Sequence, residues 1–367
     1  MSKGAGEAVQ RYRLHGGMGS PYSLKMRAAL RYRRIPHDWV LIARDSPVRQ
    51  KHGGANVIPV LEFPDGTAMV DSTPLLIELE QRVQARSLVP EDPALAFLAW
   101  LVEDMADEWF TKIMFHYRWF RPADQRYSSE QIIADSTREL RGDAFVAAAQ
   151  AIRERQVSRM ALVGCTPTNA PLIEETYYRV LDALQRMSAR DHFLFGTRPS
   201  IADVAIYGQF RVLSEDLTPH LIMRARNPRV YDWLRRLDDA SGIDGEWMQG
   251  VVMASDAPAG HADAAVGNAP VPAVASDAPD PQRALRDLLA IASDSYLPFL
   301  AANAVAIRDG HAMLSLKLGD KAFEQAPFRY QGKCLSALRA RFAALPAAAA
   351  ATVRGLLGPA SELLEAS

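Results

Sequence analysis

The chain has 367 residues, 49% of them apolar and 23% charged, so it can bury enough surface to offset the entropy of ordering, and it is too long for one ordinary core. Its 42 basic and 43 acidic side chains leave a formal net charge of −1, which excludes the overall field that would draw in nucleic acid or anionic lipid. Two cysteines, Cys165 and Cys334, are too few for a disulfide scaffold and lack the CxxC spacing of a zinc or redox site, and neither a signal-like apolar run nor a stretch of ~20 apolar residues stands out, so a cytoplasmic address without a membrane is expected.

After a polar tail over 1–11, residues 12–91 mix strand and helix patterns. Tyr12 to His15 reads as a strand, Ser23 to Tyr32 as a helix, and Asp38 to Ile42 as a second strand. Val57 to Phe63 and Thr67 to Val70 flank Pro64-Asp65-Gly66, a hairpin pattern, and Asp71-Ser72-Thr73-Pro74 then opens a helix with Leu75, Leu76 and Leu79 on one face. The order is βαβ followed by ββα. From 92 to 251 the strand signals vanish, and helices are predicted over 93–119, 129–155, 171–187 and 201–213.

Between 252 and 282 the composition shifts to Ala, Pro, Gly and Asp, which predicts a disordered linker. Beyond it an extension over 283–345 reads as a helix to Ile307 broken at Pro298, a hairpin through Gly319-Asp320, and a helix from Tyr330 to Phe342. Its leucines and Phe328 need an apolar partner surface, so it is expected to dock on the rest of the protein. The alanine-rich tail over 346–367 reads as frayed helix or disorder.

Ser20-Pro21-Tyr22-Ser23, between the first strand and the first helix, resembles the active-site turn of glutathione transferases and glutaredoxins. Val57-Ile58-Pro59-Val60-Leu61 resembles the family's segment with a cis-proline before a strand, and Asp71-Ser72 its acidic-serine pair at a helix start. Phe195-Gly196-Thr197-Arg198-Pro199-Ser200-Ile201-Ala202-Asp203 resembles the folding motif of its helical domain. The four matches fall in the family's order across residues 12 to 247 and together identify the chain as similar to cytosolic glutathione transferases of the serine type. The resemblance implies an α/β thioredoxin-like domain, an all-α domain and, here, a small α+β extension that ordinary transferases lack. It also implies a homodimer.

A helix N-terminus carries unpaired amides and about half a positive charge, and so favours a thiolate. A thiol of pKa near 8.5 is only about 3% ionised at pH 7, and lowering that pKa by ~2 units corresponds to ~2.7 kcal/mol. By resemblance, Ser20 donates the hydrogen bond that stabilises the thiolate of bound glutathione, while Ser23, just before a helical run, reads as the helix N-cap. A serine rather than a cysteine at 20 disfavours disulfide exchange. The resemblance further implies that the Ile58 backbone beside Pro59 pairs with the cysteinyl group, that the outward-facing amide and hydroxyl of Ser72 take the γ-glutamyl carboxylate, and that Asp71 takes its ammonium. The basic residue often found shortly before the family's proline is missing, with Lys51 and His52 further upstream, so no residue is assigned to the glycyl carboxylate.

Trp109, His116 and Tyr117 are candidates for the pocket of the electrophilic second substrate, although an aromatic stripe at helical spacing also reads as core. Ser200 and Asp203 have capping-box spacing and read as structural, and no histidine pair has metal-ligand spacing. The leading expectation is therefore a glutathione-dependent transferase acting on a small-molecule electrophile. A glutathione-dependent lyase or isomerase, or a non-catalytic metaxin-like interaction protein, are the alternatives.

Overall fold

The computed structural model describes residues 11–43, 46–52, 57–136, 139–188, 192–251 and 279–365. The first domain is a four-stranded sheet of β1 (Tyr12–Gly16), β2 (His37–Leu41), β3 (Val60–Glu62) and β4 (Ala68–Val70) in the order β2-β1-β3-β4. β1 and β2 are parallel, which requires the crossover helix α1 (Pro21–Tyr32) between them, and the β1–β3 and β3–β4 pairs are antiparallel. Helix α2 (Pro47–His52) has no counterpart in the sequence reading, and α3 (Ser72–Arg82) follows β4 as expected.

Helix α1 is buried on nearly every side, because it lies between the sheet and α10 (Ile201–Leu213) of the second domain. Gly208 permits that approach: a β-carbon there would stand 2.5 Å from the Pro21 carbonyl oxygen. The capping box at the start of α10 is present. Ser200 Oγ accepts from the Asp203 amide while Asp203 Oδ2 accepts from the Ser200 amide at 2.9 Å, and Asp203 Oδ1 also accepts from Leu194. Burial pushes the Asp203 carboxyl up to about 6 despite these bonds.

The first long helix of this domain runs as α4 (Pro93–Met105), a π-turn (Ala106–Phe110) and α5 (Thr111–Trp119). The helix expected over 129–155 is instead two, α6 (Pro122–Ser136) and α7 (Gly142–Val157), packed side by side. The chain turns at Gly142, whose φ of +54° suits glycine alone without strain. After the short α8 (Met160–Val163) come α9 (Ala170–Met187), α10, and two helices to which the sequence reading gave no bounds, α11 (Leu217–Arg226) and α12 (Pro228–Leu237).

The linker expected over 252–282 lies outside the described residues up to 278, and its last residues begin α13 (Pro281–Ile291). Chain continuity through Pro298 corrects the expected break: a π-turn (Ala292–Tyr296) joins α13 to α14 (Leu297–Arg308), and Pro298 sits in the first turn after it. There the altered hydrogen-bond spacing absorbs proline's missing N–H. By length and composition Pro281–Arg308 could cross a membrane, with a mean hydropathy of 1.3 over its most apolar window, contrary to the expectation that no stretch stands out. In this fold its leucines, Phe299 and Tyr296 are fully buried against the protein body.

The predicted hairpin forms as β5 (Leu314–Leu318) and β6 (Lys321–Gln325), followed by α15 (Arg329–Ala343). The tail is not frayed: α16 (Ala347–Leu357) and α17 (Glu362–Glu365) bury Val353, Leu357 and Leu364, because the small alanine face lets α16 lie close to α4. The extension docks as expected. Trp109 packs on Tyr296, Phe299 and Phe323, and Arg186 pairs with Asp287 at 3.0 Å.

Candidate active site

Ser20 is the N-cap of α1, its Oγ accepting from the Ser23 amide at 3.3 Å, with Pro21 in the first turn. This corrects the assignment of the cap to Ser23. That residue lies one turn inside the helix, fully buried, and its Oγ has no hydrogen-bond partner. The Ser23 side chain instead fills the space above Gly16, where a β-carbon would meet Ser23 Oγ at 2.6 Å. Ser20 is partly exposed and opens, together with Gly17, Gly19 and Tyr22, onto a cavity of about 650 Å³. Arg118 braces the turn by donating to the Gly19 carbonyl at 2.9 Å and pairs with Asp216 at 3.3 Å.

The Ile58–Pro59 peptide is cis, Ile58 lines the same cavity, and Pro59 is buried behind it. The structure thus brings Ser20 and Ile58 together on one surface.

Asp71 and Ser72 lie apart from that surface and do not line the cavity. Asp71 is held at φ +76°, ψ +119°, a conformation that costs a non-glycine residue about 1–3 kcal/mol and marks a position fixed by its surroundings. Ser72 does not face outward as expected. It is 3% exposed, accepts from Lys25 Nζ at 3.3 Å and donates to Asp107 Oδ2 at 3.2 Å. Lys25 is itself fully buried and pairs with Glu103 at 2.5 Å and Asp107 at 2.6 Å, while Thr73 donates to Glu103 at 2.6 Å. Burial alone would lower the Lys25 pKa, but the two carboxylates outweigh it and hold the ammonium above its ordinary value. Two carboxylates share that one ammonium, so burial pushes Asp107 up to about 6 against the pull of Lys25.

Trp109, His116 and Tyr117 do not line the cavity. Trp109 faces the extension, His116 is fully buried against Glu174 at 2.9 Å, and Tyr117 packs on Tyr177 with ring centroids 4.7 Å apart. The face of α5 that reaches the cavity carries Thr111, Phe115 and Arg118, with Met114 and Trp119 beside them, one position off the expected stripe. The far wall is formed by the α6–α7 pair and its connection, where Ile132, Ile133, Leu140 and Ile152 stand among Asp135, Ser136, Arg155 and Gln156.

The remaining wall is polar and was not foreseen: Glu108 and Lys112, joined from the extension by Phe328 and Gln331. Lys112 donates to Gln325 Oε1 at 2.6 Å and to the Val163 carbonyl at 3.0 Å, and burial lowers its pKa to about 8. Burial, with Asp104 and Asp107 nearby, pushes Glu108 up to about 8. The readable signal was the set Glu103, Asp104, Asp107 and Glu108, four carboxylates in an otherwise apolar helix. Both cysteines are buried thiols, Cys165 pushed up to about 12 by burial, so neither is a ready thiolate.

A mixed four-stranded sheet with a capped helix on its first crossover, leading into an all-helical domain, defines a thioredoxin-like domain joined to a helical one. Residues 14–87 match the family described as glutathione S-transferase, N-terminal domain, and residues 147–236 match the glutathione S-transferase C-terminal domain. The chain belongs to the glutathione S-transferase family. Residues 279–365 fall outside both matches. Among solved structures, a glutathione S-transferase of Methylobacterium radiotolerans in complex with glutathione sulfonate is 23% identical, covering 66% of this chain and 98% of its own at a TM-score of 0.39. A glutathione S-transferase of Methylobacillus flagellatus with GSH bound is 21% identical, covering 62% of this chain and 98% of its own at 0.38. The beta-etherase LigF of Sphingobium sp. strain SYK-6 is 16% identical, covering 62% and 94% at 0.42. No curated protein sequence matches the chain.

Proposed function

We propose that this chain is a glutathione-dependent transferase that ionises the glutathione thiol beside Ser20 and delivers it to an electrophile in the adjoining cavity. The observation that carries the reading is the N-cap of α1: a serine hydroxyl, a helix N-terminus and the Ile58 segment line one cavity, whose walls combine apolar side chains with polar ones. The Ser20 hydroxyl accepts from the Ser23 amide and can still donate its own proton to a sulfur, while the helix terminus supplies partial positive charge. The thiol comes from the ligand, since Cys165 and Cys334 are buried. Stabilisation of charge by positioned donors then carries the chemistry.

At the cysteinyl end the residues fit glutathione, whereas at the γ-glutamyl end the Ser72 hydroxyl is already engaged, leaving its backbone amide at the start of α3 as the group for the carboxylate. A homodimer and a cytoplasmic address belong to the same proposal. The test is an ultraviolet titration of the bound thiolate in wild type and Ser20→Ala. The variant is expected to raise the thiol pKa and to lower turnover roughly 10- to 100-fold, the effect of losing a hydrogen bond to a charged group. A wild type that binds no glutathione would overturn the reading in favour of a non-catalytic scaffold.

A further inference from the structure

The extension reaches back to the start of α3. Tyr330, in the first turn of α15, donates its hydroxyl proton to Asp71 Oδ2 at 3.0 Å, a bond that joins the two helix starts across 259 positions of sequence. Asp71 is the carboxylate assigned to the ammonium of glutathione, so the inference below rests on the function just proposed.

The tyrosine is set there by a rigid frame. Buried Asn303 clamps the Phe328 backbone from both sides, its Nδ2 donating to the Phe328 carbonyl at 3.0 Å and its Oδ1 accepting from the Phe328 amide at 2.8 Å. Asn169 treats Glu324 in the same way, at 2.8 and 3.0 Å. Gln325 Nε2 donates to Gln331 Oε1 at 3.3 Å across the turn between them. The backbone around Tyr330 is therefore fixed, while the residue is 38% exposed, so its side chain borders solvent and can change rotamer without moving the backbone. Asp71 cannot follow such a movement easily, being held in a backbone conformation that few non-glycine residues adopt.

We propose that Tyr330 is a specificity-determining residue of this site: its hydroxyl is an intramolecular competitor for the position that the α-ammonium of a γ-glutamyl thiol takes on Asp71. A ligand seated by its thiol at Ser20 and by its cysteinyl backbone at Ile58 starts in the cavity, whose walls include Phe328 and Gln331 but not Asp71. To bring an ammonium onto Asp71 it displaces the tyrosine hydroxyl and turns the ring outward, while the clamped backbone stays in place. Thiols without that ammonium leave the Tyr330–Asp71 bond intact and pay no such penalty, so the wild type discriminates between the two less sharply than the bare carboxylate would.

The experiment uses the full chain, with Tyr330→Phe as the variant because it removes only the hydroxyl. Calorimetric binding is measured for glutathione and for glutaryl-cysteinyl-glycine, which lacks only the α-amine. Tyr330→Phe is expected to tighten glutathione roughly three- to tenfold, the effect of one net hydrogen bond, and to leave the amine-free analogue unchanged. In an Asp71→Asn background the gain is expected to vanish. Glutathione binding that is unchanged or weaker in Tyr330→Phe, or an equal gain for both ligands, overturns the competitor assignment while leaving the glutathione reading intact. Failure of both ligands to bind wild type and variant alike removes glutathione as the ligand, and the inference falls with it.

Discussion

Two helices of the sheet domain start with a polar residue and a nearby proline, yet their first turns face opposite environments. At α1 the capping hydroxyl of Ser20 opens on a cavity, and a single amide is its partner. At α3 the Ser72 hydroxyl is closed in between Lys25 and Asp107, and Asp71 is bound by a tyrosine from the far end of the chain. Both helix ends carry the same partial charge. What separates an available site from a structural joint is which groups of each terminus are already hydrogen-bonded.

The joint at α3 breaks most severely through Lys25→Met, which leaves Glu103 and Asp107 without their shared cation. Loss of one partner of a buried ion pair costs about 3–5 kcal/mol, and urea unfolding at pH 7 is the measurement. The deficit is expected to grow with pH. Burial already pushes the Asp107 carboxyl up to about 6, and without Lys25 nothing offsets it, so stability is lost as pH rises past about 4, where the unfolded chain releases that proton first. Curves at pH 4 and pH 7 that show equal deficits would indicate that the ammonium does not hold α3 by charge.

The α1 terminus responds next to Gly208→Ala, whose new methyl meets the Pro21 carbonyl oxygen at 2.5 Å, a backbone atom that cannot rotate away. Overpacking of this kind costs about 1–3 kcal/mol. A lowered melting temperature together with a raised thiol pKa would place the effect at the α1 start rather than in the helical domain alone. Smaller still is Ser20→Ala, expected to remove about 1 kcal/mol of capping in addition to its effect on the thiolate. Ser23→Ala comes last. It deletes a buried hydroxyl that has no partner, so stability should be unchanged or slightly higher, and paired melting curves in which Ser23→Ala is the more damaging variant would reverse the capping assignment.

Much of the α1 side was legible because its signals are local. A strand, a glycine-bearing turn and Ser20-Pro21 fall within ten residues, and the cis Ile58–Pro59 segment and the Ser200–Asp203 capping box are equally compact. The choice between Ser20 and Ser23 was not legible, since either serine can precede a helical run and only the backbone settles which one caps it. The α3 side failed for a different reason. Nothing near Ser72 announces that Lys25, Asp107 and Tyr330 converge on its neighbourhood, since their separations in sequence run from 35 to 259 positions. On α5 the aromatic stripe marked the buried face, and the cavity face carried fewer aromatic residues to draw attention.

The two π-turns lie against each other, Trp109 of the first and Tyr296 of the second having ring centroids 6.5 Å apart, and Tyr296 donates to Asp104 at 2.5 Å. A π-turn amounts to an α-helix with one residue inserted, and each residue of a helix advances the chain by about 100° of rotation. The wider turn takes up that residue, so the cavity wall that follows, Thr111, Phe115 and Arg118, keeps its facing whether or not the extra residue is there. The regular α-helix after it has no such slack: a single deletion between Thr111 and Phe115 would move His116 into the place of Phe115 and Trp119 into that of Arg118, taking the guanidinium away from Gly19. Along this helix the protein is more sensitive to a change in length than to many changes of letter.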